Sequence, residues 1–519
     1  MNFGPSGGQN VCSAIIPGMN GVAFGSREGR WLVAVAVTGS GLAFLDSTVV
    51  NVALPEIGSD FGAGAGALQW VLNGYLLTLA SLILLGGSLG DRIGRRRVFV
   101  IGVGIFTVAS LACALAPSAG VLIAARLAQG VGGALLTPGS LAIIEASFRP
   151  ADRARAIGAW SGLSGVAAAL GPLLGGYLIG AISWRAIFLI NLPLGAFVIW
   201  AALRHVPESL DPAAHRRLDL RGAALAALGL AGVTYALIEA PGQGASAAVV
   251  LSAAVGILGL AVFLLDERRS PNPMLPLEIF SSRQFSAANA VTFAVYAALG
   301  GFFFLLAAFL QISLGYTPVA AGAASLPVTA ILLVFSARAG ALAQRVGPRA
   351  PLTLGSLAMA LGLVSMTAID PGDAYVTSVL PAAAIFGAGL ALVVAPVTAT
   401  VLAAAETRHS GIASGVNNAV ARVGGLLAVA VLPVVAGLTG EDFYDPAAMT
   451  DGFHIAMLVC AGLAALGGLL AWLTIEPGVL HAEPEPGGDT PERLAEDFSC
   501  GVGAPPLRPA REAECDLER

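Results

Sequence analysis

Lysine is missing from the sequence: all 27 basic residues among 519 are arginine. Without it there is no phosphate-binding GxxxxGK[ST] loop, so ATP is not expected as the energy source. Charge of either sign is scarce at 11%, where soluble domains carry about 25%. With 56% hydrophobic residues and a mean hydropathy of +0.82, such a chain cannot cover itself in water, which excludes an ordinary soluble fold. Cysteine is rare and scattered (Cys12, Cys113, Cys460, Cys500, Cys515), with no CxxC and no metal spacing to histidine. The five histidines, His205, His215, His409, His454 and His481, are dispersed and mostly on connectors. No cluster of catalytic or metal-binding groups follows from these, so an enzyme is not expected and no cofactor or metal is called for. The net charge of −5 reflects an acidic C-terminal tail and says nothing for nucleic acid. No charged region precedes a short apolar core near the start, so a signal peptide is not expected.

What is present is length and grease. A membrane-spanning helix needs about 20 apolar residues. Fourteen such stretches occur, at 31–54, 68–89, 98–116, 119–143, 155–180, 186–203, 219–239, 246–265, 286–311, 318–341, 350–369, 375–400, 410–438 and 452–473. Alternate connectors hold Arg92, Arg95, Arg96 and Arg97, then Arg149, Arg153 and Arg155, then Arg204, Arg216, Arg217 and Arg221, then Arg268, Arg269 and Arg283, then Arg345 and Arg349, then Arg408. The intervening connectors hold only Arg185. Positive connectors stay in the cytoplasm, which places both termini there; the plasma membrane is the expected location. From about Glu476 the chain is rich in Pro, Glu, Gly and Asp and is expected to be disordered.

One connector carries more charge than a solvated turn requires. Residues 87–102 read GSLGDRIGRRRVFVIG, and 340–349 read GALAQRVGPR. Gly, Leu, Arg, Gly and Arg recur in step, each copy after the second span of its half if the spans of 219–265 are set aside as an insertion. Two halves related by parallel repetition are the expected meaning. A positive-inside loop explains the arginines but neither Asp91 nor the glycines.

Five motifs in chain order carry a family resemblance. They are LDSTVVNVALPEI at 45–57, GSLGDRIGRRR at 87–97, RLAQGVGGALLTPGSLAII at 126–144, GPLLGG at 171–176 with WRAIFLINLPLG at 184–195, and SGVNNAVARVGGLLAVAV at 414–431. Over roughly residues 31–475 the chain resembles the fourteen-span drug:proton antiporter branch of the major facilitator superfamily. The resemblance implies an all-α integral membrane protein with 14 transmembrane helices, as two six-helix bundles plus a central inserted helix pair. The expected limits are a cytoplasmic N-terminal segment 1–30, an N-terminal bundle 31–203, an inserted segment 204–285, a C-terminal bundle 286–475 and a disordered tail 476–519. It also implies a multidrug efflux activity: export of lipophilic compounds in exchange for protons, by a monomer in the lipid bilayer, without ATP or nucleic acid. Export of a specific endogenous metabolite, or import by proton symport, are the alternatives; GPLLGG argues against import.

In the superfamily the aspartate matching Asp91 lies against a helix N-terminus of the other half, here near Ser410–Gly411. A helix N-terminus carries about half a positive charge and stabilises a carboxylate. Gly87, Asp91, Arg92, Gly94 and Arg95 are thus the expected cytoplasmic gate. The echo carries Gln344 instead of an acid, so an asymmetric gate is expected. Ionisable residues inside spans are costly and functional. Asp46 and Arg126 both fall roughly 20 Å above the cytoplasmic face at 1.5 Å per residue, so a pair between them is geometrically allowed. They are the candidates for proton coupling, a permanent structural ion pair being the alternative. Gly171, Pro172, Gly175 and Gly176 match the antiporter motif, whose implied role is to seal a proton leak; ordinary close helix packing explains them too. Trp70, Asn73, Tyr296, Asn417 and Arg422 are candidates for the substrate cavity. Arg422 suits either an aqueous cavity, repelling cations or holding an anion, or hydrogen bonding to carbonyls. Apolar walls with few fixed charges are expected to suit lipophilic, often cationic compounds.

Overall fold

The computed structural model describes residues 21–210, 218–405 and 410–480. Among these residues fourteen helices are long and apolar enough to cross a bilayer. They are α1 (Arg27–Phe61), α2 (Ala65–Ile93), α3 (Arg95–Ala114), α4 (Ala119–Ser147), α5 (Pro150–Ala181), α6 (Ala186–His205) and α7 (Leu220–Gln243), followed by α8 (Ala247–Arg269), α9 (Arg283–Ile312), α10 (Pro318–Val346), α11 (Arg349–Met366), α12 (Val379–Ala403), α13 (Gly411–Val435) and α14 (Pro446–Thr474). All belong to one compact unit, Val22–Leu480. The expected tail and residues 1–20 lie outside the described residues. Residues 21–26 do not form a free segment: Val22 donates to the Ser147 carbonyl at 2.8 Å and accepts from Arg149 N–H at 3.3 Å.

The helix limits follow local chemistry. Ser26, Ser118, Asp219, Ser246, Ser282, Thr317 and Asp445 cap helix N-termini through their side-chain oxygens. The Ser26 cap starts α1 four residues earlier than the apolar pattern indicates, because the cap and the lipid boundary are different signals. Two spans are broken. In α6 the helix breaks between Leu189 and Asn191, and in α10 between Ala324 and Leu326.

Helix contacts repeat with an offset of eight spans. In the first half α1 packs on α4, α5 and α6, α2 and α3 pack on α4, and α3 packs on α6. In the second half α9 packs on α12, α13 and α14, α10 and α11 pack on α12, and α11 packs on α14. Every first-half pair thus has its counterpart. Between the halves α2 meets α13 and α5 meets α10, which the same offset interchanges. The inserted pair breaks this symmetry. Helices α7 and α8 pack on each other, and α7 covers the α2/α13 seam by touching both helices. No inserted helix covers the α5/α10 seam. Of α8's apolar window only 17% is buried, against 72% for α9, as suits a helix facing lipid.

Candidate functional site

Asp46 on α1 and Arg126 on α4 meet in an ion pair fully buried within the first half. The equal heights read from the sequence are therefore matched by facing sides. Neutral groups complete the network. Gln129 donates to Asp46 Oδ1 at 2.8 Å while its carbonyl oxygen accepts from Arg126 Nη1 at 2.6 Å. Asn191 donates to Asp46 Oδ1 at 3.3 Å and to Ser110 Oγ at 2.9 Å. Arg126 Nε donates to the Val71 carbonyl at 3.0 Å, and its guanidinium lies 4.5 Å from the Tyr75 ring centre. Helices α1, α4 and α6 meet at the carboxylate, and α2 and α3 join the network through the Val71 carbonyl and Ser110. The break in α6 is what turns Asn191 inward. Gln129 and Asn191 escaped sequence reasoning because neutral amides carry no charge signal; the usable clue was Gln129, three residues from Arg126 on the same helix face.

The antiporter glycines lie at two contacts. A Cβ on Gly171 would strike Thr48, and one on Gly175 would strike Val49, both on α1. Gly176 faces the other half, where a Cβ would run into the Pro318 carbonyl; reciprocally, a Cβ on Gly322 would run into the Pro172 carbonyl. Each helix thus presents a proline carbonyl and, four residues on, a glycine that receives its partner's carbonyl. Three further ties join the halves at this end. Gln69 donates to the Val429 carbonyl at 2.7 Å, Gln311 to the Val52 carbonyl at 3.0 Å, and Tyr444 to the Ala63 carbonyl at 2.6 Å. Burial pushes the Tyr444 phenol above its ordinary value, so it stays a donor. A crevice of only about 20 Å³ remains here beside Thr48, Asn51, Pro172 and Phe303.

The opposite end, where the arginine connectors lie, is different. Gly158, Gly162 and Gly165 share the helix face of Gly176, yet a Cβ on any of them would meet nothing within 4 Å. Helices α5 and α10 therefore diverge toward the arginine end. The other seam stays closed, with Leu84 of α2 against Gly415 of α13.

In the charged connector Asp91 accepts from Arg95 Nε at 2.9 Å and Nη2 at 2.8 Å, and is 38% exposed. Its expected partner, the tip of α13, borders residues 406–409, which lie outside the described residues. Gly94 has φ 118°, a region that glycine favours. Glu208, unnoticed in the sequence, accepts from Arg96 N–H at 3.0 Å at the start of α3 and lies 3.6 Å from Arg97 Nε. The Arg92 side chain makes no hydrogen bond or ion pair among the described residues, and a Cβ on Gly87 would meet Pro138 at an ordinary 3.8 Å. In the echo, Gln344 is exposed.

The cavity candidates disperse. Trp70 points to the inserted pair: its Nε1 donates to Glu239 at 3.2 Å and its ring lies 6.2 Å from that of Tyr235. Asn73 is fully buried with both amide atoms unpartnered, on the face of α2 between Gln69, which meets α13, and Leu77, which packs near Leu230 of α7. Asn417 ties α13 to α9 through Thr292 at 2.8 Å and Asn289 at 3.2 Å. Arg422 faces the first half, 6.0 Å from the Phe44 ring.

The family profile described as Major Facilitator Superfamily matches residues 36–429. The chain is 38% identical to the multidrug resistance protein Stp of Mycobacterium tuberculosis over 405 residues, 77% of this chain and 75% of that protein. It is 37% identical over 449 residues to the methylenomycin A resistance protein of Streptomyces coelicolor, covering 85% and 92%. It is 35% identical over 429 residues to the tetracenomycin C resistance and export protein of Streptomyces glaucescens, covering 82% and 79%. Among solved structures, a peptide transporter POT in complex with sulfate superposes with TM-score 0.64 at 16% identity, over 87% of this chain and 96% of that one. A D-xylose–proton symporter gives 0.63 at 16%, over 86% and 98%, a likeness of fold.

Proposed function

We propose that this chain, which belongs to the Major Facilitator Superfamily and is a membrane transporter rather than an enzyme, exports lipophilic, drug-like compounds across the plasma membrane in exchange for protons. The relatives named for multidrug, methylenomycin A and tetracenomycin C resistance support the export of such compounds. The arginine excess supports a cytoplasmic assignment for the divergent end. The α5/α10 opening then faces the cytoplasm while the glycine–carbonyl interlock closes the outer side. Rocking of the halves exchanges these two conditions. Asp91 is the carboxylate that meets the tip of α13 when the cytoplasmic side closes, with Arg92 and Arg95 beside it. One chain holds both halves and the whole network, which supports action as a monomer.

The observation that carries proton coupling is the buried Asp46–Arg126 pair. Asp46 is held by Arg126, Gln129 and Asn191. A proton arriving on Asp46 neutralises it and frees Arg126, whose bond to the Val71 carbonyl links the event to α2. In inverted vesicles, ethidium or a lipophilic antibiotic is expected to dissipate a preformed proton gradient with the wild-type protein and not with Asp46→Asn. Drug efflux that proceeds at the wild-type rate in Asp46→Asn, or with the gradient collapsed, overturns the reading.

A further inference from the structure

More than five residues inside either end of a span, the charged side chains among the described residues are Asp46, Arg126, Arg338 and Arg422. One carboxylate thus faces three guanidinium groups, and Arg126 already takes it. Arg338 is accounted for locally. It lies exposed on α10, donates to the Val334 carbonyl at 3.1 Å and stacks 5.5 Å from the Phe335 ring centre.

Arg422 has no such arrangement. It is half-buried near mid-depth on α13, with no carboxylate in ion-pair distance and no hydrogen bond among the described residues. Its neighbour across the interface is aromatic: the Phe44 ring of the opposing half lies at 6.0 Å. Asn418, one turn nearer the divergent end on the same helix face, is exposed. A cation held unpaired at such depth is expensive and marks a site where a partner arrives.

We propose that the substrate is an amphipathic organic carboxylate whose acid group pairs with Arg422 while its apolar body lies along Phe44. This rests on the export reading and names its substrate class. It reverses the expectation of cationic compounds, since a cation would meet a guanidinium and find no free carboxylate at that depth. Arginine suits the task because its planar fork binds a carboxylate through two parallel hydrogen bonds. One-for-one exchange of a monoanion for a proton also moves two charges in the same sense, so a membrane potential alone drives it, whereas cation–proton exchange is electroneutral.

The test titrates purified full-length protein in detergent, without any gradient, with naphthaleneacetate, its methyl ester and naphthylethylammonium. The carboxylate is expected to bind about tenfold tighter than either analogue. Arg422→Gln is expected to remove that advantage while holding the ester affinity within about twofold, and Arg422→Lys to keep part of it. Retained ester binding certifies the fold; should Arg422→Gln lose it, the carboxylate-to-ester ratio of Arg422→Lys decides. Equal or tighter binding of the ammonium compound, no carboxylate binding, or a ratio unchanged by substitution at Arg422 overturns the proposal. Arg422-dependent carboxylate binding without proton-driven transport in vesicles leaves this site standing and removes the export reading alone.

Discussion

Replacing Gly176 or Gly322 by alanine drives a methyl group into the carbonyl of Pro318 or Pro172, two close contacts between α5 and α10. Backbone carbonyls on proline-containing turns cannot swing aside as a flexible side chain does, so the helices must separate. Overpacking of this kind costs about 1–3 kcal/mol. The cost falls only on the conformation in which the halves are closed at this end, so the equilibrium moves toward opening there by about 5- to 150-fold. Alanine also favours the helix by about 1 kcal/mol over glycine. Gly180→Ala isolates that gain, because its methyl group meets Val319 Cγ2 at an ordinary 3.5 Å. The two contacts part together, so the double variant is expected to shift the equilibrium by less than the product of the single effects. The reporter is Asn51→Cys, which lines the residual crevice beside Thr48 and Pro172. Cys113 and Cys460 are buried and stay, while Cys12, Cys500 and Cys515 are replaced by serine. Labelling by a membrane-impermeant maleimide should accelerate in Gly176→Ala and Gly322→Ala and stay at the parent rate in Gly180→Ala. Equal rates in Gly176→Ala and Gly180→Ala would refute the interlock.

Two further outcomes follow from the geometry. Asp46→Asn leaves Arg126 buried without its counter-charge, which costs about 3–5 kcal/mol; the melting temperature in detergent should fall, and Asp46→Asn with Arg126→Met should recover most of it without restoring proton coupling. A disulfide joining Leu84→Cys to Gly415→Cys should be tolerated in transport, because these residues already touch while α5 and α10 stand apart; loss of transport on oxidation, regained on reduction, would show that this seam must open too.

The fold was legible because lipid imposes simple rules. Apolar length marks each span, and the recurrence of Gly94 at Gly347, both with positive φ, marks the repeat. The contact between Asp46 and Arg126 was legible because depth along a helix is a linear function of residue number. Rotation about the helix axis is what the pattern withholds in an all-round apolar helix. Trp70 and Asn73 lie at plausible depth for a cavity, yet their phase on α2 turns them toward α7 and α13. Glu208 was overlooked for another reason: an acid on an arginine-rich side looks like a solvated charge until the segment after α6 is seen to cross the start of α3.

That crossing shows where the halves differ. In the first, the segment leaving α6 lays the Glu208 carboxylate over Gly94, close enough that a Cβ there would meet it at 2.6 Å. In the second, the segment leaving α14 crosses Gly347 in the same way but offers only the Pro477 carbonyl. The backbone path repeats while the charge does not, just as Asp91 is matched by the neutral Gln344. The inserted pair acts in the same direction, since α7 lies against both α2 and α13 while neither α7 nor α8 packs on α5 or α10. Rocking about a symmetric axis would part both seams equally at the arginine end, but Leu84 still meets Gly415 while the glycine face of α5 stands open. On the export reading proposed above, the halves therefore separate more on the α5/α10 side than on the side that α7 covers.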